Sequence, residues 1–374
     1  MPESAVLVVG GGASGLSAAG ALTTRGIDTV VLERDAAIGG TWARRYDRLH
    51  LHTMREYSGL AHLPIPRRFP RYLSRDDVVT YLREYAERFR LRVMTGVQVL
   101  RIATEAGGWR VDTTSGEWRA PVVVVATGQY RVPLLPAWPG AGSFRGRLSH
   151  SVEYDNATRY VGMRVLVVGA GNSGAEIATD LAEGGAAGVA LSVRTPPPIV
   201  SRDPFGLPVQ RTSILLSALP PFIANRIAAA TARLVVGDLS TYGMPRATFD
   251  PYTRKQVPLI DVGFVAALKR GAVTLRPAVE ALTPDGAVFT SGTHEAFDAI
   301  VAATGFTTGL ADVLDVPGAL DDAGEPTARS GEAGSHPGLY FVGFTHTLRG
   351  HLFEANRDSR RLARSVSAYL NGRP

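Results

Sequence analysis

Two glycine clusters in this 374-residue chain have the spacing that phosphate binding needs. Gly10-Gly11-Gly12-Ala13-Ser14-Gly15 follows the apolar run Val6 to Val9 and opens the helical pattern Leu16 to Arg25. Gly10 allows a tight turn, Gly12 lets the backbone approach a pyrophosphate, and Gly15 permits close packing of helix on strand. The helix start at Ala13 and Ser14 offers N–H donors and a positive dipole end. Glu33 stands 23 positions after Gly10, past the apolar stretch Asp28 to Leu32, where a carboxylate can accept hydrogen bonds from a ribose diol. The same unit recurs 159 residues later: Arg164 to Val168, then Gly169-Ala170-Gly171-Asn172-Ser173-Gly174, a helix to Leu181 and a strand Val189 to Val193. Two independent dinucleotide sites are implied. Ser192 replaces the acid in the second unit, and Arg194 follows two residues on. A guanidinium without a competing carboxylate can grip a 2′-phosphate bidentately, so the second site should prefer NADP(H). A solvated strand-end charge is the alternative reading of Arg194.

These turns need strands beneath them, and two further segments repeat as a pair. Val122 to Val125 leads into Ala126-Thr127-Gly128, and Ile300 to Ala302 leads into Ala303-Thr304-Gly305. The second glycine unit starts between them, so the economical topology is nested: residues 1–148 form a first domain, 149–306 a second, and 307–374 return to the first. The expected fold class is α/β, with two Rossmann-like domains, one inserted in the other. Strand–turn signals at Gln98 to Thr104 and Gly108 to Thr113 predict a meander within the first.

At about 150 residues per domain the length suits two cores, and 45% hydrophobic with 20% charged residues suits a globular chain. Zero cysteines exclude disulfides, thiolate catalysis and cysteine-ligated metals, so redox work falls to a bound cofactor. No metal centre is expected. The net charge of +6 comes from scattered residues, 38 of 40 of them arginine, which argues against a nucleic-acid stripe. The first strand starts at Ala5, leaving no room for a secretory leader, so a cytoplasmic protein is expected. Ser213 to Gly237 is the most apolar later stretch, but Pro220, Pro221, Arg226 and Arg233 interrupt it below the roughly 18–20 residues of a membrane span. A buried helical pair is expected there, with a monotopic membrane patch as the alternative. Self-association is left open.

Three more motifs narrow the reading: Gly39-Gly40-Thr41-Trp42; the run from Tyr46-Asp47-Arg48-Leu49-His50-Leu51-His52-Thr53 through Phe69-Pro70-Arg71-Tyr72; and Phe144-x-Gly146-x-x-x-His150-x-x-x-Tyr154. These resemble the class B flavin-dependent monooxygenases, for which the last is the identifying fingerprint. The run from Tyr46 to Phe89 and the closing Gly338 to Phe344 look most like the YUCCA-type indole-3-pyruvate monooxygenases and their bacterial relatives. Baeyer–Villiger relatives carry tryptophan in place of Tyr154, which argues against that branch.

The resemblance implies FAD at Gly10, Gly12, Ala13, Ser14, Gly15, Glu33, Arg34, Gly40, Thr41, Trp42, His52, Thr53, Thr127, Gly128, Gly343 and Leu352. It implies NADPH at Gly169, Gly171, Asn172, Ser173, Gly174, Arg194, Thr195, Thr304 and Gly305, with Asn172 and Ser173 near the pyrophosphate. The C-terminal helix, starting near Leu352, would aim its positive end at the flavin. The reaction implied is oxygenation of a small organic substrate by dioxygen through a flavin C4a-(hydro)peroxide, favoured as attack on an aromatic 2-oxo acid. N- or S-oxygenation of a soft nucleophile, or flavin reduction without oxygen insertion, are the alternatives. His52 is the candidate catalytic side chain, against a structural reading; His150 would hold the inter-domain linker. His346, Arg349 and His351 would line the substrate end or lie in a solvated loop.

Overall fold

The computed structural model describes residues 4–254 and 257–372 and divides into two units. One holds the chain up to Arg44, Thr53–Val132 and Thr307 onward; the other holds Arg45–His52 and Pro133–Phe306.

The first unit is built on a five-stranded parallel sheet, in the order Leu339–Phe341, Val122–Val125, Val6–Val9, Thr29–Glu33, Arg92–Thr95. Its three central strands are buried along their whole length, which is why they read as unbroken runs of valine and leucine rather than alternating patterns. Val6–Val9 has Thr29–Glu33 on one side and Val122–Val125 on the other, so Gly10 and Ala126 leave the sheet side by side. That is the crevice at which open parallel sheets bind ligands. The helix Ala13–Thr23 seats Ala18, Ala21 and Leu22 in one apolar cluster with Leu362, Ala363 and Val366 of the C-terminal helix His351–Asn371. The expected meander is present as Val99–Glu105, Gly108–Thr113 and Gly116–Ala120, and it buries Trp109 and Trp118.

The second unit repeats the plan with the order Thr274–Arg276, Gly188–Ser192, Arg164–Val168, Ala299–Ala302, Arg147–His150. All of these neighbours are parallel. The chain enters this unit at Pro133 rather than near residue 149, because Arg147–His150 is itself an edge strand that pairs Ala302 with His150. It leaves after Phe306, following the buried strand Ala299–Ala302.

The apolar stretch after Ser213 departs from expectation. It forms helices Val209–Leu216 and Pro221–Val235, but only Gln210 and Ala224 of these are buried. On the longer helix small residues sit on the inward side, while Phe222, Ile223, Ile227 and Leu234 are exposed. Apolar content alone could not tell which face turns inward. Among the described residues no helix is long and apolar enough to cross a membrane, and no cluster of histidine and acidic residues is placed to hold a metal.

Candidate cofactor and active site

In the first glycine turn Gly10 has φ +107° and donates its N–H to Leu32 at 2.9 Å. A Cβ there would stand 2.7 Å from the Ala126 carbonyl oxygen, and one at Gly15 would overlap the Gly10 carbonyl, so both positions require glycine. Gly12 is different: a Cβ there would meet nothing within 4 Å. Its backbone therefore faces open space in front of a helix whose first N–H groups no side chain caps. Glu33 is buried and held at the strand end by the N–H groups of Gly11 (2.5 Å) and Asp35 (2.8 Å).

Gly40, Thr41 and Trp42 form the short helix Gly40–Ala43, which backs onto Asp35, itself gripped by Arg44 at 2.8 and 3.0 Å. Trp42 is half-buried and Arg34 exposed. Thr53 accepts from Ser58, and Thr127, just before Gly128, keeps a buried hydroxyl without a partner. Gly343 has φ +92° and lies so close to Ser14 that a side chain would overlap it. The C-terminal helix begins at His351, one residue before Leu352; its buried Glu354 takes hydrogen bonds or charge from Thr347 (3.1 Å) and Arg349 (2.6 Å). His351 is not in a solvated loop: its Nε2 meets the Tyr130 hydroxyl at 3.1 Å, and burial lowers its pKa.

The second turn copies the first. Gly169 has φ +109° and a Cβ there would be 2.5 Å from the Ala303 carbonyl; Gly174 would overlap Gly169; Gly171 again faces open space. Ser192, at the acid's position, is buried and donates to the Pro277 carbonyl at 2.7 Å. Arg194 and Thr195 are exposed beside it. The Asn172 side chain, however, does not face the turn. It accepts from the Ile260 N–H at 2.7 Å and donates to the Pro258 carbonyl at 3.2 Å, leaving only its main-chain N–H for a phosphate. Thr304 likewise donates to the Leu134 carbonyl, and the Gly305 carbonyl accepts from His150 and from Leu134, both at 3.0 Å.

The segment Arg45–His52 belongs to this second unit. Asp47 bonds Asp155 and Asn156, each at 2.8 Å, and Arg48 pairs with Glu183 on the helix Asn172–Glu183. The Tyr46 hydroxyl meets Ser173 and Glu176; burial, then the Glu176 charge, raise its pKa well above the usual phenol value. His52 Nε2 stands 2.8 Å from Glu176 Oε1, at angles outside those of a hydrogen bond, and its Nδ1 is buried without a partner. Sequence reading missed Glu176. The signal was available: an acid between Ala175 and Ile177 on the helix's inward face is seldom buried without a partner.

The fingerprint residues brace the return strand. Gly146 lies so close to the Asp298 carbonyl that a side chain would overlap it. His150 Nδ1 accepts from the Val152 N–H at 3.2 Å, which assigns the ring proton to Nε2 facing the Gly305 carbonyl. Burial lowers the His150 pKa. The unfolded chain thus binds protons more readily than the folded one, so the stability His150 gives is complete above about pH 6.5 and falls as acidification proceeds below it. In urea titrations at pH 7.5 and 5.5, His150→Gln is expected to shrink the acid-dependent loss of stability; an unchanged loss counts against this assignment. Tyr154 is fully buried and donates to Asp180 Oδ2 at 2.7 Å. Tyr154→Phe removes a charge-assisted hydrogen bond and is expected to cost about 1.5–3 kcal/mol in urea unfolding.

Residues 7–204 match the pyridine nucleotide-disulphide oxidoreductase family. Over 96% of its length the chain is 36% identical to the indole-3-pyruvate monooxygenase YUCCA1 of Oryza sativa subsp. japonica, covering 90% of that protein. It is 35% identical to YUCCA8 of Oryza sativa subsp. indica, with 96% and 90% covered. Among solved structures it resembles the flavin-containing monooxygenase from Stenotrophomonas maltophilia, with TM-score 0.75, 25% identity, and 99% of this chain and 100% of that one covered.

Proposed function

This chain belongs to the class B flavin-dependent monooxygenases, and we propose that it oxidatively decarboxylates an aromatic 2-oxo acid, with FAD in its first glycine cradle and NADPH in its second. One 2-oxo acid, one dioxygen, one NADPH and one proton give the acid one carbon shorter, carbon dioxide, NADP+ and water.

The observation that carries this reading is the duplicated cradle. In each unit two glycines are forced by backbone contacts, while the third, Gly12 or Gly171, leaves open space before uncapped N–H groups. Such space suits a diphosphate and serves no packing purpose. When bound, the nicotinamide supplies reducing equivalents and the flavin ring supplies the centre at which dioxygen is activated. Glu33, already fixed by two amides, keeps lone pairs for a ribose diol, and Arg194 answers a 2′-phosphate. Glu176 sets His52 by its charge at Nε2, which leaves Nδ1 for a ligand. The choice of substrate class is supported by the rice relatives, named as indole-3-pyruvate monooxygenases.

The test is turnover of flavin-loaded protein with NADPH, isotopically heavy dioxygen and either indole-3-pyruvate or phenylpyruvate. The expected product is the shortened acid carrying one heavy oxygen, with carbon dioxide released in step with NADPH consumption. Labelling of a thioether or amine but of neither 2-oxo acid would overturn the substrate assignment.

A further inference from the structure

The helical hairpin of the second unit shows solvent an apolar face studded with exposed arginines. On the helix Pro221–Val235, 100° per residue places Phe222, Arg226, Arg233, Ile223, Leu234 and Ile227 within one arc of about 140°. All six are exposed, Phe222 by 64% and Leu234 by 77%. The opposite side carries Ala224, Ala228 and Ala232, so the large apolar groups have been placed outward rather than left over. The preceding helix extends the surface with Leu215, 64% exposed, and Arg211. No acidic residue occurs from Val209 to Val235. The flanking acids are spent elsewhere: Asp203 pairs with Arg202, Asp238 with Arg246, and Asp250 with Arg254.

We propose that this face docks the enzyme peripherally on an anionic phospholipid surface. An interfacial helix lies in the headgroup plane with aliphatic and aromatic side chains turned into the acyl boundary, while flanking arginines reach anionic headgroups. On this helix Ile223, Leu234 and Ile227 cluster over one side of the arc, and Arg226 and Arg233 lie directly beside them, between Ile223 and Phe222. The helix is too short to span a bilayer. A second copy of the chain is a poorer occupant, because a two-fold contact would set arginines against arginines with no carboxylate to answer them. The inference does not depend on which substrate is oxidised.

Flotation of the flavin-loaded protein with vesicles tests it. Vesicles of phosphatidylcholine with about a third phosphatidylglycerol are expected to carry the wild type, at least about tenfold more than phosphatidylcholine alone. The triple variant Ile223→Ser, Ile227→Ser, Leu234→Ser should lose most of that binding. Arg226→Ser with Arg233→Ser should lose the preference for phosphatidylglycerol. All these positions are exposed, so the melting temperature and NADPH oxidation of both variants should stay at wild-type values. Wild-type protein that floats with neither vesicle, or variants that float as the wild type does, would overturn the proposal. So would a dimer in sedimentation equilibrium that the triple substitution dissolves, since the face would then be an interface between copies.

Discussion

Gly12→Ala is expected to leave the protein folded and strip it of flavin. The position has φ −75°, which alanine adopts freely, and the added methyl meets no protein atom within 4 Å. The cost to folding is then that of a poorer helix cap, about 1 kcal/mol or less. The methyl does fill the space a pyrophosphate must enter, and overpacking a close contact costs roughly 1–3 kcal/mol, or about ten- to hundredfold in affinity. Gly171→Ala is the matched experiment: flavin retained, the NADPH Michaelis constant raised by a similar factor. Gly15→Ala is the contrast, because its methyl would overlap the Gly10 carbonyl and the turn itself must shift. That variant should lose stability as well as flavin. Flavin content after gel filtration and urea midpoints distinguish the three; a Gly12→Ala protein that keeps its flavin at wild-type affinity would show that the open space serves another purpose.

Arg194→Ala is expected to raise the Michaelis constant for NADPH by about ten- to a hundredfold and that for NADH by less than about threefold. The first figure corresponds to a charge-assisted hydrogen-bonded contact of roughly 1.5–3 kcal/mol. The selectivity follows from what surrounds the guanidinium. Ser192 stands at the acid's position, so no carboxylate there repels a 2′-phosphate, and Arg194 is exposed, with no ion pair to another of the described residues that must first be broken. Steady-state kinetics with both nucleotides decide it. Equal losses with NADPH and NADH would make Arg194 a general stabiliser of the strand end.

The glycine turns were legible because their residue type is dictated by backbone collisions that any sequence with this turn must avoid. The Ala-Thr-Gly pair was legible for the same reason: Ala126 and Ala303 are the strand ends whose carbonyls approach Gly10 and Gly169. Contacts made by long-range side chains were not. Asn172 has the residue type and place of a phosphate ligand, yet its amide is claimed by the backbone at Pro258 and Ile260, 86 and 88 residues away. The crossing point was misplaced near residue 149 because Arg147–His150 is too short and polar to look like a strand until Ala299–Ala302 lies beside it. Burial of the hairpin failed on a matter of phase: the count of apolar residues was right, and the face they occupy was the opposite one.

The central claim is that two separate cradles hold an electron carrier and a flavin that it reduces. Anaerobic titration of the flavin-loaded protein with NADPH tests it most directly, followed through the flavin's visible absorbance. One equivalent of NADPH should bleach each flavin, and Gly171→Ala should require far more NADPH while still carrying flavin. A flavin that NADPH fails to bleach, or a Gly171→Ala protein that has lost its flavin too, would contradict the account.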